Sequence, residues 1–224
     1  MKDIRILLCI VIFVGACAGP PKIRPVTSPN TQAVEADCAK VFPSGHWRFV
    51  HSISVKLPDG RQGLFVGVTV ISADAGTIDC VIMSVEGFVF FDARMDGELT
   101  IHRAVRPFES EAFARGIMRD IKLIFFKPRG RAVETGLSEN GFFACRYRLS
   151  DGGVEDVTTF PDNSWEIRQY DKNRRLTRTV NALQAKNLSS EIPSLVADTL
   201  KLKAHDRHPY ELTMKLVEAE RLSK

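Results

Sequence analysis

The chain has 224 residues, 31 Lys and Arg against 27 Asp and Glu, a formal charge of +4, and 44% apolar residues. That length suits one domain with a sizeable core. The near balance of charge, with no long basic block interleaved with aromatics, argues against nucleic-acid binding, and no apolar run reaches the roughly 20 residues that cross a bilayer as a helix.

The chain opens with Lys2 and Arg5, diluted by Asp3, and an apolar segment from Ile6 to Val14 that ends at Gly15, Ala16 and Cys17. The segment fits the core of a secretory signal. Val14-Gly15-Ala16-Cys17 resembles the lipobox of bacterial lipoproteins. That resemblance implies a signal peptide over residues 1–16, cleavage before Cys17, and membrane attachment through acyl chains on Cys17. Two or three such chains, at about 0.8 kcal/mol per buried methylene, anchor stably. Ala18 rather than Asp after the cysteine implies sorting to the outer membrane, facing the periplasm. The alternative is a plain secretory signal followed by a stray cysteine.

Residues 17–44 hold Pro20, Pro21, Pro25, Pro29 and Pro43 among Ser, Thr and Asn, the composition of an extended tether. Within it Val34, Cys38 and Val41 have helical spacing, and Asn30 is a candidate N-cap, so a short amphipathic helix is predicted over Thr31–Phe42. From residue 45 to 220 the pattern is that of one domain. Trp47-Phe49-His51-Ile53-Val55, Leu64–Ile71, Ile78-Cys80-Ile82, Gly87–Arg94 and Leu99–Val105 are five strands joined by tight turns, an antiparallel meander. Pro107–Ser110 then precedes a helix with Ser110 as cap. Phe113, Ile117, Ile121 and Ile124 form one face, with Met118 and Phe125 beside it. Pro128 stops it, and Arg131–Leu137 is expected to form another short helical turn. Six more strands follow at Phe143–Leu149, Val154–Phe160, Trp165–Ile167, Leu176–Val180, Leu200–Leu202 and Tyr210–Leu216.

About eleven strands in one antiparallel sheet curl under their own twist. The expected fold is therefore mainly β: an unclosed half-barrel with the central apolar helix packed in its concavity, an arrangement that leaves an apolar cavity. The inward sets make Val66, Val68, Ile82, Phe91, Ile101, Phe113, Ile117, Ile121, Tyr147, Trp165, Leu212 and Met214 the candidate lining of that cavity. With Cys17 set aside, an oxidising periplasm allows one bridge among Cys38, Cys80 and Cys145 in any of three pairings; alternatively Cys80 and Cys145 are small buried strand residues.

Arg119-Asp120-Ile121-Lys122-Leu123 with Pro128, Trp165-Glu166-Ile167 with Tyr170, and Tyr210-Glu211-Leu212-Thr213-Met214 resemble the LolA/LolB group, and more closely a set of bacterial lipoproteins with that fold. The resemblance implies an unclosed barrel with helices over an apolar cavity, and a hydrophobic ligand or lipidated cargo held there. The group's receiving lipoprotein uses an exposed apolar residue on a protruding loop. Here Ser72–Gly76 and Val85-Glu86-Gly87 read as small and polar, which implies a sibling with different cargo. A second reading is an envelope assembly lipoprotein with a protein partner and a cavity that is only packed core.

No Gly-x-Ser-x-Gly elbow, phosphate-cradling loop or His-Glu-x-x-His helix is present, so neither catalysis nor a cofactor is expected. His205-Asp206-Arg207-His208 is the best metal candidate, but it lies between two predicted strands with Pro209 at once after it, which is the pattern of a solvated turn. His46, His51 and His102 are scattered along strands, with His102 facing outward. A hydrolase assembled from distant strands is the third reading.

Overall fold

Period-two alternation and short polar turns dictate strands that pair with their sequence neighbours. The computed structural model describes residues 19–26, 30–106, 108–187 and 195–223; the predicted signal segment and Cys17 lie outside them. In chain order the elements are β1 (Arg24–Pro25), α1 (Asn30–Ala39), β2 (His46–Lys56), β3 (Gln62–Ser72), β4 (Thr77–Met83), β5 (Val89–Asp96), β6 (Glu98–Ala104), α2 (Glu111–Phe125), β7 (Glu134–Leu137), β8 (Phe143–Arg148), β9 (Val154–Thr159), β10 (Trp165–Tyr170), β11 (Leu176–Asn187), β12 (Leu195–Ala204) and β13 (Tyr210–Arg221). They form one antiparallel sheet in the order β1-β7-β8-β9-β10-β11-β12-β13-β2-β3-β4-β5-β6. The sheet is unclosed, with β1 and β6 at its edges.

The eleven predicted strands are β2–β6 and β8–β13, and two more extend the sheet. One is β7, where a helical turn was expected over Arg131–Leu137. Val133 N–H donates to Arg146 O (2.7 Å) and Glu134–Leu137 pair with Arg146–Phe143, so the backbone groups of the segment are taken by β8 and not by a helical turn. The other is β1, inside the expected tether. Arg24 and Pro25 pair with Leu137 and Gly136. Arg146 Nη2 donates to Pro21 O (2.6 Å). Residues 19–25 are therefore strapped to the sheet and do not trail from it.

Curvature is evident from what meets. Phe125 at the end of α2 stacks on Phe49 of β2 (4.9 Å between ring centres), while Asp120 one turn earlier binds Arg178 of β11 and Tyr210 of β13. Phe113, two turns before Asp120, meets Phe108 (5.4 Å), which packs on Phe91 of β5 (6.2 Å). Strand β5 lies six strands from β11, and only a wrapped sheet brings β5 and β11 to one helix. Ser110 Oγ accepts the Phe113 N–H (3.1 Å) and starts α2; Phe126 is already extended and ends it. Ala114, Met118, Ile121, Ile124 and Phe125 are buried. The buried face is thus turned from the expected one, and Phe113 sits at its margin, edge-on to Phe108. The predicted short helix is α1. A disulfide from Cys38 to Cys145 of β8 bolts it to the inner face, leaving Cys80 as a buried thiol.

Candidate ligand cavity

Three elements enclose the space between α2 and the concave face. Strand β2 contributes Phe49 and His51, the C-terminal turn of α2 contributes Ile124 and Phe125, and β12 contributes Val196, Ala197 and Leu200; Val41, Pro43 and Trp165 complete the wall. The cavity, partly open, has a volume of about 20 Å³. That is room for about one water molecule. The apolar side chains of α2 fill the rest of the concavity.

Two polar atoms interrupt this apolar wall. His51 Nδ1 and Trp165 Nε1 are both buried and have no hydrogen-bond partner among the described residues. Trp47 differs, donating its Nε1–H to Ser44 O (2.9 Å). Burial lowers the pKa of His51 to about 4, so the ring is neutral at neutral pH, lying between Phe49 and Phe125 with 6.1 Å to each ring centre. An unpaired buried polar group costs about 1–3 kcal/mol. No charged residue lines the cavity.

Of the predicted lining residues, Trp165 lines this cavity. Phe91, Ile121, Tyr147 and Met214 are buried in the core, and Ile82, Ile101, Ile117 and Leu212 pack against it. Phe113 is 44% exposed. Val66 and Val68 are a correction: they lie on the convex face. The pairing of β3 with β2 sets their direction. Phe49 and Ile53 point inward and stand opposite Thr69 and Phe65, which leaves Val66 and Val68 beside Ser52 and Val50 on the other side. Gly67 leaves room for the Ile53 side chain on the inner face, since a Cβ there would lie 2.5 Å from Ile53 Cδ1. Sequence reasoning missed Phe49, His51, Ile124 and Leu200 as lining. The signal for the first two was present in the Trp47-Phe49-His51-Ile53 alternation.

Above the cavity a buried ion cluster holds α2 in place. Arg178 Nε donates to Asp120 Oδ1 (3.0 Å), its Nη1 reaches Asp206 Oδ2 (2.7 Å), and the Tyr210 hydroxyl donates to Asp120 Oδ2. Burial pushes the Asp120 pKa up against the pull of Tyr210 and Arg178. Asp206 is thereby committed to Arg178, and the His205–His208 stretch is the β12–β13 turn. His205 Nε2 lies 3.0 Å from Thr179 Oγ1. Among the described residues no group of His, Cys, Asp and Glu is arranged to hold a metal.

The β4–β5 turn is also a correction. Val85 is 64% and Phe88 50% exposed, so this turn, read as small and polar, presents two apolar side chains. Phe88 was expected inside the strand Gly87–Arg94, but β5 begins at Val89 and leaves it in the turn.

No family model and no curated protein sequence matches the chain. Among solved structures, one similar fold is a domain described as an outer membrane lipoprotein-sorting protein from Vibrio parahaemolyticus, at 10% identity over 85% of this chain and 91% of that one, with a TM-score of 0.52. A LolA superfamily protein from Nitrosomonas europaea aligns at 9% identity over 87% of this chain and 94% of that one, with a TM-score of 0.49. The fold is shared with the Vibrio parahaemolyticus domain.

Proposed function

We propose that this protein binds a hydrophobic, uncharged ligand, an acyl ester or long-chain alcohol, between α2 and the concave sheet, and is held at the outer membrane by acyl chains on Cys17, facing the periplasm. The observation that carries the reading is the unpaired His51–Trp165 couple in an otherwise apolar wall. The indole offers a donor, and the neutral imidazole offers a donor or an acceptor according to tautomer. A carbonyl or hydroxyl oxygen satisfies either. A carboxylate finds no cation there. The acyl chain takes the space of Phe125 and Ile124, so uptake requires the end of α2 to shift. The exposed Val85 and Phe88 supply an apolar tip suited to contact with a membrane or a lipidated cargo. No step in this role requires catalysis.

The small size of the cavity favours one competing reading, an envelope assembly lipoprotein whose helix–sheet space is core only. A titration separates the two. Residues 18–224, which contain every described contact, are freed of bound lipid by unfolding and refolding and titrated with a fluorescent long-chain ester. Saturable uptake is expected, weakened about fivefold to tenfold by Trp165→Phe, the loss of one hydrogen bond. Failure to take up ester, alcohol or acid leaves the assembly reading.

A further inference from the structure

Antiparallel strands reverse at each turn, so the turns of this sheet divide between two ends. Turns 57–61, 84–88, 149–153, 171–175 and 205–209 lie at one end; turns 73–76, 138–142 and 160–164 lie at the other. The five turns of the first end hold five acidic and five basic residues, with three of the bases gathered on one turn. The first end carries Lys172, Arg174 and Arg175 on the β10–β11 turn and Arg131 on the segment entering β7, all exposed and in no ion pair among the described residues. Its turn carboxylates are Asp59, Glu86, Asp151, Asp171 and Asp206, of which Glu86, Asp151 and Asp171 form no ion pair among the described residues. Asp171 accepts the backbone N–H groups of Asn173 and Arg175, Asp59 pairs with Arg61, and Asp206 pairs with Arg178. The turns of the second end hold Asp74, Glu139 and Asp162 and no Lys or Arg.

The strapped N-terminal segment begins at the basic end. A Cβ on Gly19 would lie 3.5 Å from Arg174 Nε, so the chain passes directly against that side chain before crossing to Arg146 and β7. Cys17 is two residues away. Even a fully extended chain reaches only about 7 Å over that distance.

We infer that the end of the sheet bearing Lys172, Arg174, Arg175 and Arg131 docks on the anionic phospholipid headgroups of the bilayer that holds the N-terminus. The choice of a bilayer as partner rests on the reading of Cys17 as the anchor; the gathering of basic residues on the β10–β11 turn does not. The strap keeps the anchor and the basic turn together, so the lipid chains and the headgroup contacts act at one end of the molecule. The cavity wall residues Trp165, Val196 and Phe49 lie toward the starts of β10, β12 and β2, at the other end. Docking therefore leaves the cavity's half of the domain facing away from the bilayer.

The test uses residues 18–224, without the anchor, sedimented with vesicles of phosphatidylethanolamine and phosphatidylglycerol or of phosphatidylcholine alone. Partition to the anionic vesicles and not to the neutral ones is expected, with loss as salt shortens the reach of the charges. The variant Lys172→Glu/Arg174→Asn/Arg175→Glu, with Asn chosen for the left-handed backbone at position 174, lowers that partition about tenfold or more while the melting temperature holds. Glu139→Gln at the far end leaves it unchanged. Equal binding to neutral vesicles, or an unaltered partition of the triple variant, overturns the proposal. So does a gain from Glu139→Gln as large as the loss in the triple variant, since net charge alone then explains the attraction. The mass of the N-terminal peptide of the full chain decides the anchor separately: docking without acylated Cys17 sinks the anchor and leaves the headgroup site standing.

Discussion

Glu155 sits on the inner side of β9 opposite Tyr147, with Oε1 buried and unpartnered. Burial pushes its pKa up to about 8, with Gln169 pulling the other way. A carboxyl raised in the folded state keeps its proton where the unfolded chain has lost it, so it erodes stability as pH rises from about 4.5 to 8. Glu155→Gln removes that slope. Urea unfolding is expected to show the variant gaining about 4–5 kcal/mol on the wild type between pH 4 and pH 9. A constant difference across that range contradicts the burial of the acid. His51 has the opposite sign. Its folded pKa of about 4 lies below the 6.5 of a free imidazole, so its contribution is present above pH 6.5 and lost as pH falls toward 4. Asp120 is the third residue of this kind. Asp120→Ala leaves Arg178 buried with only Asp206 as a carboxylate partner, and a loss of about 3 kcal/mol is expected in thermal or urea unfolding.

At the scale of elements, β1 depends on a residue that is not there. A side chain at Gly136 would place its Cβ 1.9 Å from Arg24 O. Gly136→Ala therefore lifts the strap. Trypsin is expected to cut the variant rapidly after Lys22 while the wild type resists, and equal rates in both contradict the close crossing. The bridge from α1 to β8 closes a separation of 107 residues. Replacing Cys38 and Cys145 together by Ala is expected to cost about 2–5 kcal/mol, read from urea midpoints under oxidising conditions. What the sequence reveals and hides at this scale has physical causes. Alternation announced the long strands because each has one wet and one dry face. It misdirected β3, whose two faces are both apolar: Val66 and Val68 on one, Phe65 and Ile71 on the other, with register alone choosing between them. It missed β7, whose four residues are too few to show a period. It rotated the buried face of α2, because the burial of Ala114 and of the ion-paired Asp120 cannot be read from hydrophobicity.

At the scale of the molecule, the number of strands foretold the curl, and the insertion of α2 between the fifth and sixth predicted strands foretold what the curl encloses. The motifs in Arg119–Leu123 and Tyr210–Met214 prove to be one feature, since Asp120 and Tyr210 bond to each other and to Arg178. The His51–Trp165 couple was not legible. The two residues stand on strands separated by β11, β12 and β13 in the sheet, and only curvature brings them to one cavity. The most direct measurement of the ligand reading is mass spectrometry of the organic extract of residues 18–224 purified from bacterial envelopes without detergent. The proposed function predicts a stoichiometric long-chain ester or alcohol that is depleted in the His51→Phe/Trp165→Phe variant. An extract with no lipid above the level of an unrelated control protein contradicts it.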